Sequence, residues 1–135
     1  MSALLYKQGK LERAVELLRE VVDARRAALG DAHPETLISL ANLGSMLLCE
    51  AGSLSEAATV LREATDRSRD ALGGRDANTL SALHSLGLVL HRQGRRAEAE
   101  PHLRSAFEGS VATLGNDHPT TRNYAGTLKS LLDKR

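Results

Sequence analysis

The chain has 135 residues, 41% of them hydrophobic and 26% charged, with a formal net charge of +1. That composition leaves room for a real core and argues against wholesale disorder. The near-neutral balance lacks the basic excess of a nucleic-acid binder, and the single cysteine, Cys49, excludes an internal disulfide framework and fits a reducing compartment.

The opening MSALLYKQGK has too short an apolar run for a signal peptide, and no run approaches bilayer length. A cytoplasmic protein without membrane contact is the expectation. Aromatics are scarce (Tyr6, Phe107 and Tyr124, with no Trp), so the core must be built from Leu, Val and Ala. Such residues suit closely packed helices.

Apolar spacing predicts about seven helices in chain order, over 2–8, 10–29, 35–50, 54–72, 77–92, 96–114 and 119–133. The second carries Leu11, Ala14, Val15, Leu18, Val21 and Val22 at helical intervals. The third carries Leu37, Leu40, Leu43, Leu47 and Leu48, and the fifth repeats this with Leu80, Leu83, Leu86 and Leu90. Leu54, Ala57, Ala58, Leu61, Ala64 and Leu72 mark the fourth; Ala99, Leu103, Ala106 and Phe107 mark the sixth.

The elements recur. Leu-Gly pairs end at Gly30, Gly73 and Gly115, spaced 43 and 42, and a second series, Gly9, Gly52 and Gly94, has the same spacings. The extra residue of the longer period falls just before Gly52, near a helix end where insertion costs least. Each period is a pair of helices, A then B.

The joints are legible too. Gly30, Gly73 and Gly115 end helices where a left-handed residue is wanted. Pro34 and Pro119 fall in a first helical turn, where a missing N–H costs nothing. His33 and His118 then become helix caps. The middle copy replaces His-Pro with Asp76-Ala77; aspartate caps well but cannot stand in for an imidazole base or neutral metal ligand. These stretches are punctuation. Inside the A helices, Gly44 and Gly87 each give up about 1 kcal/mol of helix propensity. Such a sacrifice at one repeat position predicts close backbone approach, matched by the small Ala57 and Ala99 of the partner helices.

With its Leu43-Gly44 and Leu86-Gly87 pairs, turn glycines, helix-B alanines and the LGxxHP joints at Leu29–Pro34 and Leu114–Pro119, the chain resembles the tetratricopeptide repeat, in the longer form of kinesin light chain. Leu40, Leu83, Leu61 and Leu103 stand where the family usually has aromatics. The resemblance implies an all-α fold, a right-handed α-solenoid of antiparallel helix pairs. Its parts would be a clipped first repeat (1–30), two full repeats (31–73 and 74–115) and a terminal A helix (116–135).

The resemblance also implies a non-catalytic interaction module or scaffold. A peptide or partner helix would lie in a concave groove lined by the A helices. The off-core stripe there comprises Ile38, Ala41, Asn42, Ser45 and Cys49, then Ser81, His84, Ser85, Leu88 and Arg92, and finally Asn123 and Thr127. It is nearly neutral and lacks the basic cluster that would clamp a carboxylate or phosphate. Of the family's paired asparagines that hold bound peptide backbone, Asn42 alone matches. The alternative function is a structural, self-assembling solenoid that forms a homo-oligomer through its terminal helices. The last helix would show a partly polar outer face there, with Arg122, Lys129, Asp133, Lys134 and Arg135.

Chemistry points the same way. His84 and His91 are seven apart, not the four of a zinc helix, and read as surface histidines; Cys49 reads as a small packing residue. No catalytic residues, metal or cofactor are expected, and no enzyme activity. Helices 10–29 and 54–72 carry alternating charges, with Arg62–Asp66 and Glu63–Arg67 at i,i+4, as on a solvated outer face.

Overall fold

The computed structural model describes residues 3–49 and 53–133, with side chains from residue 10 onward except that of Cys49. Among these residues there are six helices and no strand: α1 (Ala3–Leu29), α2 (Pro34–Cys49), α3 (Leu54–Leu72), α4 (Ala77–Arg92), α5 (Arg96–Leu114) and α6 (Pro119–Asp133). Each helix packs on the next in sequence, and α2 also meets α4. The short joints make neighbours antiparallel, so α2, α4 and α6 form one layer and α1, α3 and α5 the other. The fold is all-α, an α-solenoid.

The first two expected helices are a single helix, α1, which runs through Gly9. A lone glycine costs a helix about 1 kcal/mol, too little to end it without a proline or a cap beside it. Gly52, the extra residue before it, Glu50, Lys134 and Arg135 lie outside the described residues.

At the joints, the Nδ1 atoms of His33 and His118 accept from the amides of Glu35 and Thr120 at 3.2 and 3.1 Å, and Asp76 Oδ1 accepts from Asn78 at 2.9 Å. Three different joints use one device, with imidazole and carboxylate interchangeable as acceptors. The closing glycines are more demanding than a left-handed cap. Gly73 sits at φ 94°, ψ 158° and Gly115 at φ 87°, ψ 167°. That extended, positive-φ region is essentially closed to any residue but glycine.

Leucines and alanines fill the core. Leu37, Leu47, Leu61, Leu90 and Leu103 are fully buried, with Ala57, Ala64, Ala99 and Ala106 between them. The two mid-helix glycines do mark close approach, but the knob is a leucine. A Cβ on Gly44 would lie 2.5 Å from the Leu61 side chain, and one on Gly87 would lie 2.6 Å from Leu103. Ala99 contributes its carbonyl, 3.4 Å from the same point. A third close approach runs the other way: Gly109 of α5 receives Leu80 of α4 at 2.5 Å.

The charges of α1, α3 and α5 do more than face water. Glu63 pairs with Arg67 along α3 at 2.9 Å and with Arg26 of α1 at 2.8 Å. Arg62 reaches Glu98 of α5 at 3.7 Å instead of the expected Asp66, and Arg19 pairs with Glu56. Hydrogen bonding and charge from Arg19 hold the Glu56 carboxyl below its usual range, although desolvation opposes them. The outer layer is stitched from repeat to repeat.

Candidate functional site

The expected stripe crosses α2, α4 and α6. On α2, Ile38 is 40% exposed, Asn42 is exposed and Ala41 is half-buried. Ser45 is half-buried and lies 3.3 Å from Ser85 of α4, hydroxyl to hydroxyl across the seam. The Cys49 side chain lies outside the described residues. On α4, Ser81 is exposed, Leu88 is half-buried, and Arg92 reaches back to donate to the Leu48 carbonyl at 2.8 Å. Asn123 is exposed on α6, with Thr127 half-buried one turn on.

His84 differs from its expectation. It is only 8% exposed, stacked on Tyr124 with ring centroids 4.4 Å apart, and its Nε2 lies 3.1 Å from Thr127 Oγ1. The Thr127 hydroxyl also lies 3.1 Å from the Asn123 carbonyl. With its hydroxyl proton turned to that carbonyl, Thr127 accepts from a proton on His84 Nε2; turned to the ring, it donates to Nε2 instead. Burial pushes the His84 pKa down to about 4, so the ring is neutral at pH 7. Burial also raises the Tyr124 phenol, partly offset by a hydrogen bond with Ser81. His84 is a seam residue between α4 and α6, offering little surface to a ligand.

Beside the stripe, the α4–α6 seam opens into a cleft of about 220 Å³ lined by Leu88, His91, Leu103, Thr127, Ser130 and Leu131. Sequence reasoning missed Ser130. It is the repeat equivalent of Leu88, 42 positions on, so a small polar residue stands where the preceding seam has a leucine. Thr36, Thr79 and Thr121 were also missed. They recur at the repeat spacing in the first turns of α2, α4 and α6, are buried, and keep their hydroxyls without a partner among the described residues. The repeat alignment that gave the glycines would have found them. Among the described residues, no three His, Cys, Asp or Glu side chains cluster as a metal site requires. No described helix is long and apolar enough to cross a membrane.

Stacked helix pairs with interdigitating glycine and leucine positions, joined by capped turns of one design, define a helical-repeat solenoid. The tetratricopeptide repeat family matches residues 1–70 through one sequence profile and residues 79–120 through another. The chain belongs to that family, and its repeats are of the kinesin-light-chain-like type. A crystal structure of a putative kinesin light chain with nearly identical TPR-like repeats from Podosopora anserina is similar, with a TM-score of 0.84 and 25% identity over 93% of this chain. A single-substitution form of that protein matches equally, at 0.84 and 25%. The chain spans 58–59% of the length of those two structures. No curated protein matches it. Repeats of this family mediate protein–protein interaction in general and are typically non-catalytic scaffolds.

Proposed function

We propose that the chain is a non-catalytic cytoplasmic interaction module that holds a peptide or partner helix along the α2–α4–α6 stripe. The carrying observation is the cleft at the α4–α6 seam. It sets an apolar, side-chain-sized recess next to Thr127 and Leu88, in line with the exposed Ile38, Asn42 and Asn123. Extended peptides are held by polar groups along the chain and apolar recesses for single side chains, and this stripe supplies both. It is also poor in charge, which suits an uncharged or mixed segment over a phosphopeptide.

Peptides selected from a random display library against the whole chain test the reading. Ser130→Leu should fill the recess, and Asn42→Ala should remove an amide able both to donate and to accept. Each should weaken the selected peptides about tenfold with melting nearly unchanged. Peptides that bind both variants as well as the parent would remove the stripe as the site.

A further inference from the structure

The ion pairs of the outer layer divide the furrow between α1 and α3 into two unlike recesses. Arg19 and Arg26, seven apart on α1, reach across it to Glu56 and Glu63, seven apart on α3. Between these crossings lies a recess of about 260 Å³ lined in part by Val22, Leu40, Leu43 and Val60. Its charged lining is balanced, Arg19 and Arg26 against Asp23 and Glu63. On the other side of the Arg19 crossing is a recess of about 280 Å³, where Val15 and Ser53 meet Glu12, Glu16, Glu56 and Arg19. Glu12 and Glu16 are exposed and enter no ion pair among the described residues. At 3.6 residues per turn, these charged positions of α1 fall within about 80° of one another, opposite the side that carries Leu17 and Val21. The furrow is built by α1, α2 and α3 alone.

The next furrow, between α3 and α5, shows which of these features serve the stack. Arg62 reaches Glu98 there at 3.7 Å, repeating the Arg19–Glu56 crossing. By the repeat spacing, Ser55 and Thr59 stand in place of Glu12 and Glu16, and the half-buried His102 in place of Val60. The crossing recurs because it joins one repeat to the next. The acidic recess and the valine do not recur, so the stack does not require them.

We infer that the α1–α3 furrow docks a helix of a partner protein. That helix sets a lysine or arginine into the acidic recess and an aliphatic side chain, seven residues away, into the balanced one. Spacing decides for a helix. The buried Val15 and Val22 beneath the two recesses are seven apart, about 10.5 Å along α1. Positions seven apart on a docked helix match that distance and face the same way. Same-face positions of an extended chain fall about 6.8 or 13.6 Å apart and miss it. Charge decides which recess takes which residue. With Arg19 already matched by Glu56, Glu12 and Glu16 are left to meet a cation whose aliphatic stem lies on Val15. The balanced recess offers four apolar side chains and no unmatched charge, which favours an uncharged guest. This surface belongs to the outer layer and is separate from the α2–α4–α6 stripe.

Two fluorescein-labelled, alanine-based helical peptides serve as probes, each with one arginine and one leucine seven residues apart, in opposite orders. Titrated with the whole chain and followed by anisotropy, one order should bind saturably. Moving its leucine two places along, to the far side of the helix, should weaken it at least about tenfold. Glu16→Lys in the protein should weaken it as much and leave melting unchanged, because the position is exposed. Exchanging the peptide's arginine for glutamate should then restore binding to that variant. Glu108→Lys, the same charge change on the exposed surface of α5, should leave binding intact, as should Ser130→Leu in the stripe. The inference is overturned if neither order binds, if the moved leucine makes no difference, or if Glu16→Lys does no more than Glu108→Lys. It is equally overturned by concentration-dependent sedimentation of the parent chain that Glu16→Lys abolishes, which would make a second copy the occupant.

Discussion

The burial of the His84 ring bears on stability. The ring is neutral, stacked and buried, so a proton added to it must be accommodated without water. Its folded pKa of about 4 lies below the 6.5 of an unfolded histidine. Above 6.5 neither state binds the proton and the contribution is complete. As pH falls from 6.5 towards 4 the unfolded chain takes up a proton that the folded chain refuses, and stability drops. The shift corresponds to a loss on the order of 3 kcal/mol across that window. His84→Gln, which keeps a hydrogen-bonding group for Thr127, should flatten the fall in melting temperature between pH 7 and 4.5. Identical slopes in parent and variant would show that carboxylates elsewhere dominate. None of this was visible from the spacing of His84 and His91. Tyr124 and Thr127 are 40 and 43 residues away, and which side chains meet across a helix seam depends on packing that periodicity does not contain.

At the scale of the element, the glycine–leucine contact governs how closely inner and outer helices approach. Gly44→Ala places a methyl group against the fully buried Leu61, and overpacking of this kind costs about 1–3 kcal/mol. In a Leu61→Ala background the obstacle is gone, and the same change should become neutral or stabilising, because alanine favours the helix by about 1 kcal/mol. A double-mutant cycle by chemical denaturation measures that reversal. Equal costs in both backgrounds would mean that the glycine serves something other than Leu61. Helix positions, joints and glycine sites were legible because each is set by residues within a turn or two, repeated at one period. The partner of the glycine was not: Ala57 and Leu61 are one turn apart on the same helix, and only the crossing of α2 over α3 selects the leucine. Gly9 shows the converse limit. It has the spacing of a turn glycine, but nothing beside it compels the chain to stop, and α1 continues.

For the stack as a whole, the first and last described helices are chemically unlike. Arg122, Lys129 and Asp133 of α6 are exposed, whereas α1 leaves the apolar Leu17 and Val21 exposed. Head-to-tail association on the α2–α3 plan needs a glycine-bearing apolar face to meet the apolar side of α1, and α6 carries exposed Arg122, Lys129 and Asp133 at the corresponding positions. The combined variant Arg122→Leu, Lys129→Gly and Asp133→His should rebuild the α4 pattern of Leu80, Gly87 and His91 on α6 and create that face. Such a contact is heterologous and does not close on itself, so open chains of increasing length should form as concentration rises. Sedimentation velocity of the variant should show a weight average that climbs more steeply with concentration than the parent's, and adding Leu17→Glu should remove the difference. Lys129→Gly removes a good helix former, so melting of the variant must first be shown cooperative. If the folded variant sediments no differently from the parent, the two helices are not complementary even when their chemistry is made to match. The open side of α1 would then have to be explained by something other than the glycine–leucine contact that joins α2 to α3 and α4 to α5.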